Sequence, residues 1–232
     1  MIILDYWWQL ALIGIAIYLL SNINYAIIFT KRFARQDIRA CGSGNPGTTN
    51  VVRSFGYKLG ALTFICDMTK GIVAAVVGKY LIEALFGSFE LAVFASYFML
   101  FCAVCGHIFP VFLKFKGGKG VATSLGFFLI IHFWFTICAL VVGVIIILIC
   151  DKISVFSLLH LTGQLIYTIC IVISNELITS SVAIASITAV ALVWIIIVIK
   201  HRQNIMRLIE GKENNSNLRC LIIKPKENAK EE

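Results

Sequence analysis

Ser43, Asn50 and Arg53 share one glycine-rich stretch, Ser43-Gly-Asn-Pro-Gly-Thr-Thr-Asn-Val-Val-Arg53. Gly117, Gly118 and Lys119 share a second, Phe115-Lys-Gly-Gly-Lys-Gly120, and His201 and Asn204 a third, His201-Arg-Gln-Asn204. Each stretch combines small or amide-bearing residues with a cation, which is the chemistry of anion binding. Glycines at 42, 44 and 47 permit a tight backbone that presents N–H groups. Arg53 offers a forked, permanent charge suited to phosphate. Lys119 supplies a point charge just where a following helix begins, and helix N-termini favour anions. The second stretch lacks the spacing and the metal-binding hydroxyl of a Walker A loop, so nucleotide hydrolysis gains no support. The leading expectation is one composite site for a phosphate-bearing ligand.

The elements that must carry these stretches are apolar. Of 232 residues, 59% are hydrophobic and only 14% charged, and mean hydropathy is +0.92; a soluble domain is about a quarter charged. The chain reads as an all-α integral membrane protein, a polytopic helix bundle over 1–211 followed by a polar, solvated, mobile tail over 212–232. Spans are predicted at 7–29, 59–82, 90–110, 120–131, 133–150, 154–173 and 177–199. The span 120–131 is too short to cross about 30 Å of hydrocarbon as a straight helix, so it is either a half-helix or part of one broken element with 133–150. Lys31, Arg32, Arg35, Arg39, Arg53 and Lys58 follow the first span, Lys114, Lys116 and Lys119 the third, and Lys200, Arg202 and Arg207 the last. Asp5, Glu83, Glu90 and Glu176 fall on the other side. The positive-inside rule then sets the basic face in the cytoplasm, with the N-terminus outside and the C-terminus inside. About seven crossings satisfy this; five would satisfy the flanking loops equally.

The net charge of +8 is split among membrane-flanking loops, so nucleic acid is not an expected partner; membrane lipids are, and no obligate protein partner is inferred. Most of the cysteines lie in apolar runs and read as small buried hydrophobes, not as a disulfide framework. No metal-ligand cluster or cofactor motif appears. Asp67 and Lys70, three residues apart in an apolar helix, are either a functional pair or a mutual ion pair that holds the bundle. His132 and His160 lack polar companions at useful spacing and read as core or interfacial residues. Ser154 and Ser157 sit at the basic end of a span, where they bond the helix backbone or face the site.

The stretches SGNPGTTNVVRSFGYKLG, GHIFPVFLKFKGGKGVATSLG and HRQNIMRLIEG, together with Asp67-Met-Thr-Lys-Gly71, resemble the bacterial glycerol-3-phosphate acyltransferases that use acyl phosphate, the PlsY family. The resemblance runs in order over most of the chain. It implies a seven-helix protein of the bacterial inner membrane, its site facing the cytoplasm. The implied reaction moves a fatty acyl group from acyl phosphate to the sn-1 hydroxyl of glycerol 3-phosphate. Lysophosphatidate and inorganic phosphate result, in the first acylation of phospholipid synthesis, without a cofactor. By motif position Ser43 and Asn50 orient or bind substrate, and Arg53 and Lys119 hold phosphate. Gly117 and Gly118 let acyl phosphate approach the backbone. His201 and Asn204 complete the glycerol 3-phosphate pocket, and Ser154 is a further substrate contact. Ser43, Lys119, His201 and Asn204 are the expected catalytic set. Gln203 stands where the family shows an acid. No His is followed by Asp five residues on, so the other large class of glycerolipid acyltransferases is not indicated; a leaving phosphate that takes the hydroxyl proton fits instead. A transporter for an anionic metabolite is the competing reading, and the absence of any sequence repeat counts against it.

Overall fold

The computed structural model describes residues 2–216, and all regular structure among them is helical. The main helices are α1 (Trp7–Ser21), α2 (Tyr25–Phe33), α3 (Thr48–Phe55), α4 (Tyr57–Val76), α5 (Phe89–Ile108), α6 (Val121–Ile131), α7 (Phe133–Cys150), α8 (Ile153–Ser174), α9 (Ser180–Lys200) and α10 (Arg202–Ile209). Six stretches are long and apolar enough to cross a membrane: Trp7–Phe33, Tyr57–Phe86, Phe89–Leu113, α7, α8 and α9. The seventh expected span is α6, whose 11 residues rise about 16 Å. It is a separate helix from α7, and the two meet at His132, which leaves helical geometry (φ −123°, ψ 50°).

Helix α5 is the centre of the bundle: 67% of its most apolar window lies inside the protein, against 11% for the peripheral α7. Small residues let neighbours close on one another, as bundles in lipid require. A Cβ at Gly106 of α5 would strike the Tyr18 carbonyl of α1. Helices α4 and α6 are locked twice, since a Cβ at Gly71 would strike the Thr123 carbonyl and one at Gly126 the Met68 carbonyl. Gly143 likewise accepts the Phe156 ring of α8, in keeping with a packing role. The seven described cysteines form no disulfide.

Two breaks in helical structure use polar side chains. Between α1 and α2, Asn24 caps α2 by accepting from Ile27 N (3.0 Å), and its amide donates to Pro46 O (3.1 Å). This ties the first glycine-rich stretch to the bundle. At the α6–α7 break, His132 is a buried core residue, as expected, and it also finds polar companions. Its Nδ1 meets Gln164 Oε1 at 2.9 Å and its Nε2 meets the Tyr97 hydroxyl at 3.2 Å. Gln164 also donates to Thr136 Oγ1 (2.9 Å). These partners are remote in sequence, which is why no spacing revealed them. His160 remains a core residue: neither ring nitrogen has a partner, and the ring packs against Phe128 and Phe156.

Candidate functional site

The first stretch is a loop wound around Asn50. The Asn50 amide donates to Cys41 O (2.9 Å) and Ile38 O (3.3 Å), while its oxygen accepts from Ser43 N (3.1 Å). Gly42, at φ 54°, passes so close that a Cβ would strike Asn50 Oδ1. Asn50 is buried and its polar atoms are spent on the loop, so it acts here by shaping Ser43's backbone. The Ser43 side chain is exposed to solvent. Arg53, three residues beyond Asn50 on α3, points elsewhere.

The second stretch leaves α5 and enters α6. Gly117 N donates to Ile108 O (3.1 Å) and Gly118 N to His107 O (3.2 Å). The amides of both glycines are therefore taken by the end of α5. What the glycines supply is proximity: a Cβ at Gly117 would strike His107 O, and one at Gly118 the His107 ring. Gly120, at φ 85°, then turns the chain into α6. Just beyond this stretch, the first turn of α6 has amides without intrahelical partners, as at any helix start.

The third stretch forms a hook. Helix α10 ends in a Schellman motif: Lys212 N donates to Arg207 O (2.7 Å) and Gly211 N to Leu208 O (3.1 Å), with Gly211 at φ 68°. The reversal lays residues 212–216 back across the site. At the start of the tail Lys212, Asn214 and Asn215 are exposed, in keeping with a polar tail, but Glu213 and Ser216 are buried against the bundle; residues 217–232 lie outside the described residues. Glu213 is the hub. Its carboxylate accepts from Asn204 Nδ2 (2.6 Å), Ser154 Oγ (3.1 Å) and Arg207 Nε (2.9 Å). Lys152 donates to the Glu213 carbonyl and to Asn215 Oδ1 (2.6 Å). Arg53 donates to the carbonyls of Asn215 (2.9 Å) and Asn214 (3.2 Å). The Lys119 ammonium donates to Asn204 Oδ1, joining the glycine loop to the hook.

Arg53, Lys119, Ser154 and Asn204 are therefore brought together through 213–215, whereas Ser43 and Asn50 sit in their own loop. Electrostatics divide the cluster further. Burial lowers the Lys119 pKa to about 8, opposed by Glu213 and assisted by Arg207 and Arg53. Burial also lowers that of Arg53. His201, almost fully buried, is pushed down to about 4 by burial and by Lys119. It is neutral at pH 7, with Nδ1–H donating to Ile197 O (2.8 Å). Nε2 is left as an acceptor that can orient a hydroxyl. Burial raises the Glu213 pKa, but hydrogen bonds from Arg207, Asn204 and Ser154 outweigh it and hold the carboxylate below its ordinary range. Four cations, Lys119, Arg53, Arg207 and Lys152, gather with two carboxylates, Glu213 and Asp151, leaving a positive excess.

Residues 11–211 match the family described as glycerol-3-phosphate acyltransferase. The chain belongs to this family. A glycerol-3-phosphate acyltransferase of Thermoanaerobacter sp. (strain X514) is 37% identical over 206 residues, covering 88% of this chain and 93% of its own. One of Nitrosomonas eutropha is 39% identical over 196 residues, covering 84% and 92%. Among solved structures, the glycerol 3-phosphate form of PlsY, an integral membrane glycerol 3-phosphate acyltransferase, superposes with a TM-score of 0.76 at 28% identity. It covers 93% of this chain and all of that one. The lysophosphatidic acid form of the same enzyme gives 0.74. Family membership therefore makes this chain an integral membrane acyltransferase of glycerol 3-phosphate, and the transporter reading falls.

Sequence reasoning missed Glu213 and Arg207. A usable signal was present: Gly211 after an amphipathic helix marks a reversal, and an acid soon after it can meet the basic residues of that helix.

Proposed function

We propose that this acyltransferase takes its acyl group from acyl phosphate. It delivers the group to the sn-1 hydroxyl of glycerol 3-phosphate, at the cytoplasmic face of a bacterial inner membrane. The observation that carries this reading is the excess of positive charge where Lys119, Arg53 and Arg207 gather at Glu213, beside the buried His201. Both substrates carry phosphate, and the surplus positive charge suits two anions held near each other. In the reaction the sn-1 oxygen attacks the acyl carbonyl carbon, and the bond from that carbon to the bridging oxygen breaks. Phosphate leaves with the electron pair, and the hydroxyl proton goes to it.

The geometry supports the following roles. Lys119 and Arg53 hold phosphate, and the first turn of α6 adds its amides. Asn204 is fixed between Lys119 and Glu213 and bounds the glycerol 3-phosphate pocket with Ser154. His201 Nε2 accepts from a glycerol hydroxyl and aims it. Ser43 orients substrate from the rim, and Gly117 and Gly118 keep the loop low enough for acyl phosphate to come against it. Positioning of this kind contributes on the order of 7–11 kcal/mol of barrier reduction in favourable cases. The acyl chain lies level with the lipid, and the basic loops at this end of the bundle agree with a cytoplasmic site.

The test is a donor panel: purified protein, labelled glycerol 3-phosphate, and palmitoyl phosphate, palmitoyl-CoA or palmitoyl-acyl carrier protein. Lysophosphatidate with acyl phosphate alone is expected. Product only with a thioester would overturn the donor assignment.

A further inference from the structure

Asp67, Lys70 and His107 form a buried cluster that the reaction above does not use. Asp67 and Lys70 are each 2% exposed, and Lys70 Nζ lies 2.8 Å from Asp67 Oδ1. An ion pair that only steadied α4 would need no third member. Here Lys70 Nζ also lies 3.4 Å from His107 Nδ1, which is 3.6 Å from Asp67 Oδ1, and sits 5.0 Å over the Tyr25 ring. The ammonium donates to Asp67 and closes on His107 Nδ1 from one side of the ring, and the opposite ring nitrogen, Nε2, is the atom facing Gly118.

His107 is also where the glycine loop departs. Its carbonyl accepts from Gly118 N (3.2 Å), and its carbonyl and ring fill the spaces where Gly117 and Gly118 would carry side chains. The helix that bears Asp67 and Lys70 fixes the other end of the loop as well, because Gly71 and Met68 of α4 are locked against Thr123 and Gly126 of α6. Both ends of the loop are thus referred to one helix.

We propose that the Asp67–Lys70–His107 cluster is a positioning device that sets the depth of the Gly117–Lys119 loop, and with it the place of Lys119, against a substrate phosphate. This rests on the reaction proposed above. The phosphate belongs to glycerol 3-phosphate or to acyl phosphate, and the experiment separates the two.

The experiment compares His107→Asn, which keeps an amide near Nδ1, with His107→Gln, which reaches the Nε2 position. KM and kcat are measured for both substrates on purified, monodisperse protein. For His107→Asn we expect KM for one phosphate substrate to rise about tenfold and the other to move less than about twofold, the scale of one hydrogen bond to a charged group. His107→Gln should recover most of that loss, and the substrate whose KM moves is the one the loop holds. Should neither His107 variant fold, Asp67→Asn is expected to give the same selective shift. Unchanged KM values with activity tracking the amount of folded protein would overturn the proposal, as would identical behaviour of the Asn and Gln variants. Absence of acyl transfer by the wild type would instead sink the reaction. The cluster would then be read by inorganic phosphate: thermal stabilisation of the wild type but not of His107→Asn sustains it, and equal stabilisation overturns it.

Discussion

The glycine loop at 114–120 and the hook at 201–216 both deliver residues to one site, but they are held in different ways. The loop is set by steric fit: its glycines let backbone lie against His107, and no other residue fits there. The hook is set by charge: one carboxylate gathers an amide, a hydroxyl and a guanidinium. A steric support should respond to added volume and ignore pH. An ionic support should respond to pH and tolerate isosteric change in proportion to lost charge. Lys119 belongs to the first region and donates into the second, so it is where the two supports meet.

The largest effect is therefore expected at that joint. Lys119→Ala should lower turnover by about 10²–10³, the usual cost of one donor aimed at developing or transferred charge, with undiminished protein in the membrane. Wild-type turnover would remove Lys119 from the site. On the steric side, Gly117→Ala forces a Cβ into the His107 carbonyl and should cost about 1–3 kcal/mol of stability. Gly163→Ala meets only the Phe135 ring at 3.3 Å and serves as the control. Equal melting temperatures for the two variants would show that the loop is not sterically set.

On the ionic side the sign is fixed by Glu213. Its folded pKa lies below its ordinary value of 4.5, so its contribution is complete above that value and fades as pH falls through the lower, folded one. Glu213→Gln should cost about 1.5–3 kcal/mol at neutral pH, the range for hydrogen bonds to a charged group. The variant should also lose this acid-range dependence in melting experiments. An unchanged acid profile would mean that the hook is not held by its carboxylate. The smallest expected effect is on pH and rate together: Lys119 titrates at about 8 in the free protein, so kcat/KM should decline as pH rises past that value. Lys119→Arg, charged throughout, should keep whatever activity it has across the same range.

The difference between the two supports also explains what the sequence disclosed. The three polar stretches, the short span at α6 and the positions of the long spans were all readable, because composition and periodicity are local properties. The purpose of Gly117 and Gly118 was not, because their limiting contact is with His107, ten and eleven residues earlier and on another helix. Nor was the role of Asn50, whose amide closes its own loop. Glu213 was assigned to a solvated tail because a charged residue beyond the last apolar run reads that way; only the reversal at Gly211 returns it to the site. Nor does spacing disclose the burial that pushes the His201 pKa down to about 4. In each case the local residue type was informative and the partner that decided its role was distant.

The central claim, acyl transfer from an acyl phosphate, is tested most directly by following the bridging oxygen. Palmitoyl phosphate carrying heavy oxygen between carbon and phosphorus is incubated with the protein and glycerol 3-phosphate, and the products are weighed by mass spectrometry. Cleavage of the acyl carbon–oxygen bond predicts that the label leaves in inorganic phosphate, one for each lysophosphatidate formed. Label retained in free palmitate, or lysophosphatidate formed without phosphate release, would contradict the account.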